Sequence, residues 1–444
     1  MLLIDKDAKI GGTLHVTGGH MAAAGAKRQI EKGIEDSPEA HLEDIRRISQ
    51  GTAREDLITV LAHNAADTID WLQERDFAFA PETPRIVYGH EPYGTARTYY
   101  GKDEGVSIFE VLEAELKRTQ AEFDLTLWTN APVMELLQDD TGRVVGVSVL
   151  KSGKEVEVTA GAVALTTGGF AGDPELFLEL EGFPLVSAAS RTSTGDGIHL
   201  GVAIGAATQG KGSYLPTFGG LPDPQSPGRA NWNDRQRLTS ERPPREIYVD
   251  KSGKRWVAED EPSIDEKERA LTKIEEQTFW TVFDDFAVSQ SVGGMNQMIV
   301  GLEPDEVRAV MNTRPGLHSA DTIGEVAELA GIDPIALAET VARFNQAVEA
   351  GVDEDFGRTY LPAPIAEGPF YAVRNHAITL VTFQGLDIDD TFAVRDTSGK
   401  AIPGLYAAGE VIGAGATCGN SFCSGMLVTP ALTFGRLLGI SLAS

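Results

Sequence analysis

The sequence predicts an α/β protein interrupted by a second unit of α+β character. Three observations carry this reading. A short apolar run, Met1–Ile4, closes on Asp5 and leads into Gly11-Gly12-Thr13 and Gly18-Gly19, the pattern of a buried, parallel-type strand feeding a glycine-rich turn. From Asp124 to Thr167, short β-type runs are separated by DDTG and SGKE turn signals. After a tract rich in Pro, Gly, Arg and Asp over 211–266 and a helical stretch, strand-like chain returns in LDIDDTFAVRD and IPGLYAAGEV and ends in an apolar helix.

The elements follow in chain order. Residues 39–74 are amphipathic with few breakers and read as helical, whereas 81–101 are loop-like and rich in Pro, Gly and Tyr. Residues 107–122 carry Ile108, Val111, Leu112 and Leu116 on one helical face. TGDGIHLGVAIGAA is a loop feeding a glycine-dense helix. Three helices are expected over 275–289, 322–330 and 334–350, with Thr322 and Asp333 as N-caps and Gly331 and Gly351 as stops. A last helix is expected over 426–442.

Composition narrows the function. The 444 residues include 38 basic and 66 acidic side chains, a formal net charge of −28, and a nucleic-acid backbone would be repelled. A hydrophobic fraction of 42 % excludes a disordered chain. No run approaches the roughly 20 apolar residues of a membrane span, and no secretory leader is read at the N-terminus. Cys418 and Cys423 are too few for a disulfide scaffold. No metal-ligand set is read from the spacing. A cytoplasmic enzyme with a small-molecule substrate is the expectation.

Asp5 ends a strand where a carboxylate can bond the ribose of a dinucleotide; a cap or exposed turn residue is the alternative. The glycine pairs permit close backbone approach to a flat anionic ligand, although glycines also serve ordinary turns. Leu405-Tyr406-Ala407-Ala408-Gly409-Glu410 is a buried strand ending in a carboxylate, and Ser424-Gly425 opens the last helix. That pairing suits a polyhydroxyl chain on Glu410 and an electron-rich ring edge at the helix N-terminus. An ordinary core strand with a solvated glutamate is the alternative.

The order of IDKDAKIGGT, TGGHMAAAG, ALTTGGFAGDPEL, STGDGIHLGVAIGA, SGKRWVAED, APIAEGPFYAV, GLYAAGEV and TPALTFGRLLG resembles the flavoprotein family of fumarate reductase, succinate dehydrogenase and 3-ketosteroid Δ1-dehydrogenase. The resemblance spans nearly the whole chain. It implies a Rossmann-like FAD-binding domain over 1–210 and 379–444, interrupted by a capping domain over 211–378, with the active site between them. It also implies FAD contacts from Asp5, Gly12, Thr13, Gly19, Asp196, Glu410, Gly425 and Leu427, a lining from Thr167 and Gly168, and backbone contacts to adenine from Val133. No histidine stands at the family's covalent-link position, which falls on Gly19 with His20 one place off, so the flavin is expected to be non-covalent.

Two departures from the family matter. The strand and Gly-x-Gly-x-x-Gly turn that open the family's domain are not found ahead of Asp5, and Gly413-x-Gly415-x-x-x-Gly419 does not replace them. A misassigned start and a natural loss both remain open. The cationic groups that hold two substrate carboxylates align with Ser263, Val381, Phe422 and the neighbourhood of Tyr214. A dianion without cationic partners is disfavoured in a buried cleft.

The resulting expectation is an FAD-dependent oxidoreductase acting on a CH–CH bond beside a carbonyl, in an apolar or mono-anionic substrate such as an enone or ketosteroid-like ketone. The electron donor or acceptor is unknown. A positioned acid or base must move the proton, and Tyr100, Tyr99 and Tyr214 are the catalytic candidates, with Tyr93 also in view; packing is the alternative role for each. Two rival readings stand: reduction of a small unsaturated carboxylate anchored by Arg245 or Arg374, and a non-catalytic remnant that has lost tight FAD binding. Cys418 and Cys423 are either small buried hydrophobes or a redox pair.

Overall fold

In the computed structural model, which describes residues 1–238 and 242–443, chain from both ends of the sequence builds one core. Strand Leu2–Ile4 runs parallel to Thr126–Trp128, Leu2 opposite Thr126. A separate sheet pairs Val163–Leu165 in parallel with Ala401–Ala407, whose other edge takes Ala393–Arg395 antiparallel. A meander of Val133–Gln138, Val144–Lys151 and Lys154–Thr159 packs beside them. Ile45, Val149, Leu165, Phe170, Leu405 and Phe434 share one buried cluster, so the return of the chain after residue 379 completes the core begun before residue 210.

The first strand is parallel, as its apolar run implies, but it is not buried: Leu3 is 37 % exposed. The helical stretch 39–74 is two helices, Pro38–Ile48 and Glu55–Gln73. Gly51, at φ 73°, breaks it in a backbone region that favours glycine. Ser37 caps the first by accepting from the Ala40 N–H, with proline at the first turn.

Six strands, all between residues 217 and 378, form one antiparallel sheet around Phe370–Ile378 and Thr278–Asp284. The expected helix over 275–289 is corrected here. Residues 278–284 are a strand, TFWTVFD, buried at every position, flanked by a 3₁₀ turn at Glu275–Gln277 and an α-helix at Asp285–Ser289. Trp280 and Val282 face the helices Ile323–Ala330 and Pro334–Ala350, while Phe283 packs on the opposite face with Tyr371 and Val373. Burial on both faces erases the alternation that marks a half-buried strand. The helices at 323–330 and 334–350 have the expected caps: Thr322 forms a capping box with Glu325, Asp333 accepts from Ile335 and Ala336, and Gly331 and Gly351 close in the left-handed region. Among the described residues, no helix is long and apolar enough to cross a membrane.

Candidate functional site

The sequence-derived residues fall into neighbouring groups. At the end of the first strand, Asp5 accepts from the Asp7 N–H at 2.8 Å, so its carboxylate is turned over the start of the glycine-rich turn. Its neighbour Lys6 reaches across to the Asp196 carboxylate at 2.8 Å and also bonds Thr194. This joins the first strand to the helix Asp196–Ala203, a link that no spacing announces. Burial acts to raise the Asp196 carboxyl, but hydrogen bonds from Lys6 and Thr194 outweigh it and leave it below the usual range. Thr167 stands against the same helix: a Cβ at Gly197 would lie 2.2 Å from its hydroxyl. Gly168 faces Ser193. That helix packs on the strand that begins with half-buried Val133.

Glu410 forms the second group. Its Oε1 accepts from the Thr382 N–H at 2.9 Å and the Thr382 hydroxyl at 3.2 Å. Gly169 must be glycine, because a Cβ there would meet Thr382 Oγ1 at 2.0 Å and Glu410 Oε1 at 2.4 Å. Burial lifts the Glu410 carboxyl above the usual range despite the Thr382 bonds. Thr382 carries no motif of its own, and its role as the holder of Glu410 appears with the fold.

Gly425 and Gly19 form the third group. Gly425 has φ 79°, and a Cβ would sit 2.4 Å from the Ala22 backbone N, so the start of helix Val428–Ala443 lies directly on the strand Met21–Ala22. Gly19 has φ 64° and abuts the backbone of Glu104 and Gly105. Leu427 is 36 % exposed. Gly12, at φ 45°, has no atom within 4 Å of where a Cβ would be, and Thr13 follows it in a short 3₁₀ turn. Carboxylates at Asp5 and Glu410, close-approach glycines at Gly19, Gly169 and Gly425, and open space at Gly12 fit a long ligand with a polyhydroxyl middle and a flat ring.

The tyrosines separate. Tyr99 is fully buried in an apolar cluster, its hydroxyl has no hydrogen-bond partner among the described residues, and burial raises its pKa. Tyr214 packs among Phe177, Phe183 and Phe383 and shares a 3.1 Å hydrogen bond with Thr379; burial raises its pKa too. Tyr93 donates to the Ser424 carbonyl at 2.6 Å and so holds the loop before Gly425. Tyr100 alone among these combines a half-buried ring with a polar relay. Its hydroxyl donates to exposed Glu82 at 2.7 Å, the Arg85 guanidinium lies 5.4 Å over its ring, and the His20 ring is 5.2 Å away. Burial first, then the bond to Glu82, raises the Tyr100 pKa. His20 is pushed down to about 4 by burial, with Arg85 and His90 adding to the effect, so its imidazole is neutral near pH 7. Arg97, wholly buried, forks onto Asp36 at 2.8 Å and Asp44 at 2.9 Å and fixes the strand that presents Tyr100.

Leu215, Val381, Phe383, Ala414 and Phe422 form a buried apolar cluster with Tyr214 packed against it, and the Phe422 ring lies 4.6 Å from that of His90. Cys418 and Cys423 are both free and buried. The hydrogen bond with Cys418, and then burial, push the Cys423 thiol up. Of the two arginines considered as anchors, Arg374 is exposed and bonds His376 at 3.1 Å. Arg245 Nη1 is buried with no hydrogen-bond partner among the described residues.

Residues 1–427 match the family model described as FAD binding domain. A fumarate reductase (cytochrome) of Shewanella frigidimarina is 30 % identical over 453 residues, covering 99 % of this chain and 72 % of that protein. A urocanate reductase of Eggerthella lenta is 28 % identical over 457 residues, covering all of this chain and 70 % of that protein. The structure of 3-ketosteroid delta1-dehydrogenase from Sterolibacterium denitrificans has a TM-score of 0.77 at 20 % identity, covering all of this chain and 94 % of that one. That last likeness establishes a shared fold.

Proposed function

The chain belongs to the FAD binding domain family and is an FAD-dependent oxidoreductase, and from that premise we propose that it acts on a carbon–carbon bond beside a carbonyl in a neutral or mono-anionic substrate. Bound FAD supplies the hydride chemistry. In this reading Asp5, Gly12, Thr13 and Val133 hold its adenosine end, and Thr167, Gly168 and Asp196 line the same site. Glu410 takes a ribityl hydroxyl, while Gly19, Gly425 and Leu427 approach the ring, which is held without a covalent link. Relatives named for the reduction of fumarate and urocanate support an unsaturated substrate, since both compounds carry a double bond conjugated to a carboxyl group.

The observation that carries the substrate class is the apolar wall of Leu215, Val381, Phe383 and Phe422. It buries a hydrocarbon body at about 25 cal/mol per Å² and offers no partner to a second carboxylate. Arg85, at the rim beside Tyr100, serves one carboxylate or carbonyl oxygen. Tyr100 moves the proton, and Glu82 is the exposed end of the relay to solvent. Two free buried cysteines accord with a reducing, cytoplasmic setting. A second reading, reduction of a small unsaturated carboxylate, draws on the unpartnered Nη1 of Arg245. The family assignment leaves no place for a non-catalytic remnant. Tyr100→Phe tests the proton role: turnover falls by more than tenfold, about 1.4 kcal/mol of barrier, with FAD still bound. An undiminished rate returns Tyr100 to packing.

A further inference from the structure

One turn of the helix Ile264–Leu271 places Asp265 and Glu268 on the same face, three residues apart. Both carboxylates are fully buried, and both approach the His90 ring. His90 Nδ1 lies 3.5 Å from Asp265 Oδ1 and 3.9 Å from Glu268 Oε2. One ligand atom from each residue falls within 4.8 Å of the other two. Asp265 Oδ1 and His90 Nδ1 make no hydrogen bond among the described residues. Burying the Asp265 carboxylate with one oxygen unbonded is costly without a compensating positive charge on that oxygen. Asp265 Oδ1 faces the His90 ring, and the guanidinium nearest to Asp265 approaches its other oxygen. Arg269 stands 3.9 Å from the other Asp265 oxygen and is committed to Glu266 and the Ser421 hydroxyl.

We propose that His90, Asp265 and Glu268 form a binding site for one divalent first-row cation of the zinc or manganese class. One imidazole nitrogen and two carboxylate oxygens suit such ions. Bonds of about 2.0–2.2 Å to a common centre bring ligand atoms to roughly 3–4 Å from one another, which the His90 distances already satisfy. The carboxylates expose no surface, so a bare ion fits where an alkylammonium group does not. The half-exposed edge of His90 is the way in. The site touches the apolar wall directly: the Phe422 N–H donates to Asp265 Oδ2 at 3.3 Å, and the His90 and Phe422 rings are 4.6 Å apart. A cation there places a Lewis acid beside that wall, available to a carbonyl oxygen of the substrate. This consequence rests on the function proposed above, whereas the binding test does not, so the two fail separately.

The test uses the FAD-loaded protein, dialysed against chelator and then titrated with Mn²⁺ while the free-ion paramagnetic resonance signal is followed, with Zn²⁺ as competitor. The expected result is one saturable equivalent per chain, displaced by Zn²⁺. Asp265→Asn, which preserves shape and the Phe422 bond, weakens it at least 30-fold. His90→Leu, on an accessible loop, weakens it at least tenfold, with circular dichroism and flavin retention unchanged in both variants. Absence of a saturable site, or equal binding in both variants, overturns the proposal.

Discussion

Replacing Glu410 separates ligand binding from scaffolding, because the Thr382 bonds fall on Oε1 and the proposed cofactor contact falls on the other oxygen. Oε1 accepts two hydrogen bonds from Thr382, at 2.9 and 3.2 Å, and the carboxylate ends a strand that the last helix faces. In Glu410→Gln the amide oxygen keeps the Thr382 bonds, and the NH₂ replaces the oxygen meant for a ribityl hydroxyl. A hydrogen bond to a charged group contributes about 1.5–3 kcal/mol, so the Kd for FAD rises roughly 10- to 150-fold at 1.4 kcal/mol per decade. Glu410→Ala adds a second effect. It strands the partly buried Thr382 N–H, and the apoprotein loses about 1–3 kcal/mol of stability. Titrating apoprotein with FAD by fluorescence gives the affinities, and urea unfolding of the apoprotein gives the stabilities. A Gln variant that binds FAD within threefold of the parent, while the Ala variant loses only stability, makes Glu410 purely structural and removes it from the cofactor site.

Gly425→Ala places a methyl 2.4 Å from the Ala22 N and 2.5 Å from the Met21 C, at φ 79°. The left-handed penalty and the backbone clash together destabilise by about 2–4 kcal/mol in urea unfolding, and an unchanged midpoint contradicts the close packing of the last helix on the second strand. His41 is fully buried with neither ring nitrogen hydrogen-bonded among the described residues, and burial, then Arg97, pushes its pKa down to about 3 against the opposing pull of Asp44. The unfolded chain therefore binds a proton near pH 6.5 that the folded chain refuses. The stability this contributes is complete above that pH and is lost as pH falls toward 3. His41→Phe makes the acid side of the stability profile shallower by up to about 1.4 kcal/mol per pH unit; an identical profile in the variant shows that His41 does not titrate on unfolding.

The α/β class was legible because its signals are local: turn dipeptides between short β runs, N-caps at Thr322 and Asp333, and stop glycines at Gly331 and Gly351. The strand Thr278–Asp284 was read as helix because it is buried on both faces and so shows no alternation. In the site, glycines and strand-end carboxylates announced themselves by position. Lys6, Thr382, His90, Asp265 and Glu268 did not, because their partners lie between 28 and 190 residues away and only the folded chain brings them together. Tyr99 and Tyr100 are adjacent in sequence, yet strand alternation sends one into the core and leaves the other half-exposed beside Glu82 and His20.

The substrate class is tested most directly by the anaerobic re-oxidation of the chemically reduced, FAD-loaded protein, followed as recovery of visible flavin absorbance after stopped-flow mixing. A cyclic enone, a mono-carboxylate enoate and fumarate are compared at equal concentration. The apolar wall of Leu215, Val381, Phe383 and Phe422, with Arg85 as a single rim cation, predicts recovery with the enone or the mono-carboxylate that is at least a hundredfold faster than with fumarate, about 2.7 kcal/mol in barrier. The protein is first dialysed against chelator, so that no divalent ion beside Phe422 serves a second carboxylate, and fumarate recovering the absorbance as fast as either of the others then contradicts the assignment.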